Sequence, residues 1–137
     1  MAMVQALAYP MSHVLNKVTD DPLVYSWVAL NSGSQSGSAF LQMVNLTTGL
    51  VVRVTPAQTV AAGAQVTLRP PVGHASNIVH LNQEVIAGVN NMRLEMWAIN
   101  EPAAPVAIHD FVINMAAPPP PPVTGPIIDA VGIPSIV

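Results

Sequence analysis

The side chains of this chain that could do chemistry are four histidines, seven carboxylates and a run of serines. His74 and His80 stand six apart with Asn77 between them, and His13 and His109 lie far from both. A metal site needs three or four converging ligands, and this spacing supplies no tight His/Asp/Glu set, so no metal is expected. His109 and Asp110 are neighbours within a β-like run, so their side chains should point to opposite faces. Acid–base work would want paired carboxylates. Asp20 and Asp21 precede Pro22 and Glu101 precedes Pro102, which is turn chemistry, while Glu84 and Glu95 stand singly. The serines at 32–38 form no Gly-x-Ser-x-Gly elbow, and the glycines among them lack a phosphate-cradle lysine. With no cysteine, disulfides, zinc–thiolate sites and thiol catalysis are excluded. Neither an enzyme nor a cofactor is expected.

The sequon Asn45-Leu46-Thr47 reads as a strand end and turn. Trp27, Trp97, Tyr25 and Phe40 are four of only six aromatics. They are read as packing residues, with Trp97 the best candidate for an exposed anchor because it shares its strand face with Arg93 and Glu95.

The elements that would carry these residues read as short strands between turn signals. Residues 23–30 (LVYSWVAL) form a β-branched and aromatic run behind Asp20-Asp21-Pro22. Residues 39–46 and 50–55 flank Thr47-Thr48-Gly49, a hairpin signal. Residues 65–69 alternate, 78–81 read as a short strand, and 85–89 form another apolar run. Residues 92–100 alternate clearly, and 106–115 form the last strand of the core. A helix over residues 4–18 is the most plausible exception, weakened by Pro10. The expectation is an all-β fold: a small antiparallel β-sandwich, immunoglobulin-like or jelly-roll-like, with extended N- and C-terminal arms. The divisions are an N-terminal arm over residues 1–20, a sandwich over 21–115, and a proline-rich linker with an apolar arm over 116–137.

Composition suggests burial in an assembly. The chain has 137 residues, of which 8% are charged and 51% hydrophobic. Ordinary soluble domains carry about 25% charge. A folded monomer of this mass would expose roughly 6,800 Å², and four Lys/Arg with seven Asp/Glu must decorate all of it. Lys17, Arg53, Arg69 and Arg93 are scattered, so no direct nucleic-acid partner is expected. No apolar run approaches the ~20 residues of a membrane helix, and residues 1–15 lack the basic start of a secretory signal. Neither membrane contact nor export is therefore expected, and a cytoplasm is the expected place of synthesis and assembly.

The C-terminal segment is the strongest functional element. Pro118, Pro119, Pro120, Pro121 and Pro122 would span roughly 15 Å as a stiff polyproline II rod. Beyond them Ile127, Ile128, Val131, Ile133, Ile136 and Val137 carry six large aliphatic side chains. Burying half of these at ~1.5–3 kcal/mol each would hold the segment in place. Two docks are open, on its own sandwich or on a neighbour, and a stiff spacer favours the neighbour. An apolar N-terminal stretch with Met1, Met3, Leu7, Tyr9 and Met11 would make a second contact.

Two resemblances follow from these residues. Residues 39–68, with Asn45, Gly49, Gly63, Val66 and Leu68 at the turn and strand positions, resemble part of an immunoglobulin-like module. The β core between the arms at 1–20 and 116–137 resembles, in design, the decoration or cement proteins of tailed-bacteriophage capsids. That resemblance implies a structural virion protein, assembled in the host cytoplasm, that forms homo-oligomers and binds a major capsid or other virion protein. It would stabilise the shell by many weak contacts repeated by symmetry. Three other readings stay open: a coat, tail or fibre component; a carbohydrate- or host-surface-binding module using Trp97; and an adhesin-like subunit exchanging strands.

Overall fold

Alternation builds the body of the chain. The computed structural model describes residues 2, 4–6, 14–71, 79–99, 104–117, 130, 131 and 135. Among these residues there are nine strands and no helix: β1 (Val4–Ala6), β2 (Val14–Lys17), β3 (Trp27–Asn31), β4 (Gly37–Asn45), β5 (Leu50–Val54), β6 (Gln58–Val60), β7 (Gln65–Leu68), β8 (Gly88–Ala98) and β9 (Ala107–Met115). In β4 the buried residues are Ala39, Leu41, Met43 and Asn45, and in β8 they are Asn90, Met92, Leu94, Met96 and Ala98. The period of two puts each set on one face.

Two sheets pack on that face. One is β1-β3-β7; the other is β2-β9-β8-β4-β5, with β6 also on β4. Trp27, Ala29 and Leu68 from the small sheet join Leu41, Met43, Met92, Leu94, Met96, Ile113 and Met115 from the large one in a single core. The chain is thus a small all-β sandwich. In the small sheet β3 lies between β1 and β7, opposite the β9-β8-β4 centre of the large one.

The turns have local causes. Gly49 closes the β4–β5 hairpin at φ 76°, with its N–H donating to the Asn45 carbonyl at 2.8 Å. Gly63 precedes β7 at φ 72° and donates to the Asn31 carbonyl at 2.7 Å. Such φ values suit a residue without Cβ.

Several expectations are corrected. No helix covers the described part of residues 4–18. Val4–Ala6 pairs antiparallel with β3, and Val14–Lys17 pairs parallel with β9. The described parts of the segment 1–20, expected as an N-terminal arm, thus supply one strand to each sheet. Its edge strands are short and mixed, so no period is readable from them. The β2–β9 pair also breaks the all-antiparallel expectation. Residues 23–26 are not strand, although Leu23 is buried. Within 79–81 there is no strand either; Val79 instead exchanges backbone hydrogen bonds with Asp20 at 2.6 Å and Asp21 at 2.8 Å. Val85 and Ile86 lie in the loop before β8.

Tyr25 packs against the core rim, and burial pushes its hydroxyl up to about 12, with the Arg53 charge opposing. A raised tyrosine favours the neutral form in the folded state. The associated stability is fully present below about pH 10 and is lost as pH rises toward 12. Denaturant titrations between those pH values should show a steeper alkaline loss for the parent chain than for Tyr25→Phe. Equal slopes would refute the assignment.

Candidate interaction surface

Among the described residues, the small sheet covers one face of the large one and nothing covers the other. The other face is built by residues that alternate with the core, and strand register orders them into rows. At one end Val89, Asn114 and Asn16 lie side by side, followed by Asn91, Val112 and Val14, with Leu46 beside Asn91. Next come Val51, Val44, Arg93 and Asp110, then Val54, Gln42, Glu95 and Ile108. Phe40 and Trp97 form the last row.

Aliphatic side chains flank this face. Val14 is 60% exposed, Val89 57%, Val54 56%, Val51 45% and Ile108 42%. A hollow of about 650 Å³ opens among Val14, Leu46, Asn91, Asp110, Phe111 and Val112. The polar residues run between the aliphatics and are satisfied by one another. Arg93 donates to both oxygens of Asp110, at 2.7 and 3.1 Å. This hydrogen bonding holds the Asp110 carboxyl below the usual carboxylate range and raises Arg93. Glu95 Oε1 accepts from Gln42 Nε2 at 3.0 Å and from Trp97 Nε1 at 3.1 Å. Opposed charges paired within the face lower the cost of covering it.

The expected site residues fall as follows. Trp97 sits on this face, half-buried, beside Phe40. Val131 is 98% exposed. Leu7, Tyr9, Pro118, Pro119, Pro120, Pro121, Pro122, Ile127, Ile128, Ile133, Ile136 and Val137 lie outside the described residues, as do Met1, Met3, Met11, His13 and His74. His80 pairs with Asp20 at 2.8 Å on the surface. His109 and Asp110 do point to opposite faces, opposite Leu94 and Arg93 respectively. His109 stacks on Phe111, with ring centroids 6.4 Å apart. Among the described residues no three His, Asp or Glu side chains come together as a metal site, and no helix is long and apolar enough to cross a membrane.

The sequon has a structural explanation. Asn45 is fully buried, and its Nδ2 donates to the Glu84 carbonyl at 2.7 Å and to Asn90 Oδ1 at 2.9 Å. Its Oδ1 accepts from Thr47 N–H at 2.9 Å. No glycan can be joined to that nitrogen in the folded chain. Sequence reading missed the open sheet face, because nothing in a single strand says which of its sides the second sheet will cover.

The fold and this surface define a small β-sandwich domain in which, among the described residues, one largely neutral sheet face is open. No protein-family model matches the chain, and no curated protein matches it.

Proposed function

We propose that the chain is a structural subunit of a virus particle, a capsid decoration or cement protein that binds the shell and stabilises it through apolar contacts with neighbours. The supporting observation is the open sheet face, where exposed valines and Ile108 surround charges that are already paired. A surface of this kind gains by being covered, and burial of apolar area is the main source of that gain. The apolar segment at 123–137 and the low charge of the chain support the same reading. In this reading the subunit acts mechanically: each contact is weak, and repetition over a symmetric shell makes the sum strong.

A tagged chain expressed in cells that assemble the particle should co-sediment with purified shells at a fixed number of copies. Removal of residues 116–137 should lower that occupancy and the temperature at which the shells open. Shells that carry none of the full-length chain would refute the proposal. Binding to glycans through Trp97 is a weaker reading, since the ring is half-buried and its N–H is occupied by Glu95.

A further inference from the structure

We infer that the open face of the six-stranded sheet is the seat of the C-terminal segment, residues 123–137, of a second copy of this chain. The inference rests on the assembly reading above and adds to it the receiving surface and its occupant. Its first support is chemical match. Residues 123–137 contain a single charged side chain, Asp129, among seven large aliphatics. The face offers Val14, Val44, Val51, Val54, Ile108 and Val112 in adjacent rows. Arg93 and Glu95 on that face already have partners in Asp110, Gln42 and Trp97. A charged partner would have to displace those pairs, whereas a neutral apolar segment can lie over them.

The second support is that the segment lacks cover on its own chain where it is described. Val131 is 98% exposed, and Ala130 and Ser135 are exposed as well. A fully solvated valine within such a sequence is a side chain whose burial remains available to a partner.

The third support is reach. The chain leaves β9 at Met115, and Ala116 N–H still donates to the Lys17 carbonyl at 2.9 Å, at the β2 margin of the sheet. Five prolines follow in the sequence, and a polyproline II run of that length is a stiff spacer of roughly 15 Å. Five adjacent strands are about 19 Å across from first to last. Fifteen extended residues reach about 50 Å, enough to cross the face of an adjoining copy.

The test places a benzoylphenylalanine photocrosslinker at position 131 of the full chain. Equal parts of ordinary protein and protein labelled with heavy nitrogen are mixed, irradiated and mapped by mass spectrometry. The expected result is mixed-isotope crosslinks to the strands of the open face. The paired substitutions Val54→Asp and Ile108→Asp should reduce these crosslinks at least about tenfold, since a carboxylate buried without a partner is strongly unfavourable. Both are solvent-exposed positions, and an unchanged melting temperature would show that the variant is folded. Crosslinks confined to one isotope, crosslinks to the small sheet or to a strand edge, or an absence of protein crosslinks would each overturn the inference. Shell co-sedimentation of the same preparations separates the two claims. Shell binding without the mixed crosslink leaves the particle reading standing alone. The mixed crosslink without shell binding leaves only the tie between copies.

Discussion

Replacing Asn90 by alanine is expected to lower the unfolding free energy by about 3 kcal/mol, and the melting temperature by more than about 10 °C for a domain of this size. Asn90 is fully buried at the start of β8. Its Oδ1 accepts from the Ile86 N–H and from Asn45 Nδ2, both at 2.9 Å. Its Nδ2 donates to the carbonyls of Ile86 at 2.8 Å, Gly88 at 3.1 Å and Ile113 at 3.3 Å. One side chain thus fastens the loop before β8, the end of β4 and the end of β9. Alanine leaves several buried polar groups with fewer partners, and each unsatisfied group costs about 1–3 kcal/mol. The aspartate variant refines the test. A carboxylate at Asn90 would face three carbonyl oxygens, so its folded pKa would lie above the unfolded value near 3.9. Its stability should then be greatest below about pH 4 and fall as pH rises. An Asn90→Ala chain that melts with the parent would show that the network carries no net stability.

The second large effect concerns the core. Leu41 and Met96 are fully buried and oppose one another across β4 and β8. Leu41→Ala removes apolar contacts at the centre of the sandwich and leaves a cavity that flanking strands cannot close, for an expected loss of about 3–4 kcal/mol. Leu50→Ala is the matched control, because Leu50 is 42% exposed on an edge strand, and it should cost under about 1 kcal/mol. Urea titrations of the two variants should show a shifted midpoint with an unchanged slope for Leu41→Ala. Equal midpoints would mean that the buried cluster does not act as a core.

These two residues also show how far the sequence carries. Leu41 was legible as part of a strand-like run over residues 39–46, but the buried side of that run was not, because apolar residues fall on both of its faces. The β4–β5 hairpin was legible too, because Thr47-Thr48-Gly49 separates two strand-like runs. Asn90 was not. Beside Asn91 it reads as turn punctuation, and its burial depends on partners from Asn45, Ile86 and Ile113 that only the folded topology assembles. β6 is three residues long and carries no period of its own. β1 and β2 are sheet margins whose pairing is decided by β3 and β9 rather than by their own residues. For the candidate site, Trp97 could be placed on a face with Arg93 and Glu95 from spacing alone. That this face stays open could not, since it follows from a three-stranded sheet covering one side of a six-stranded one.

The parallel pairing of β2 with β9 has a mechanical consequence. The chain enters β2 at Val14 and leaves β9 at Met115, and the two strands run in the same direction. A pull on the preceding segment and on the following one drags these strands lengthwise in opposite senses. Their hydrogen bonds are then strained together in shear rather than peeled one after another. Tension that reaches the domain at β2 and β9 meets a bolt, whereas the same force applied across a hairpin would meet a zipper.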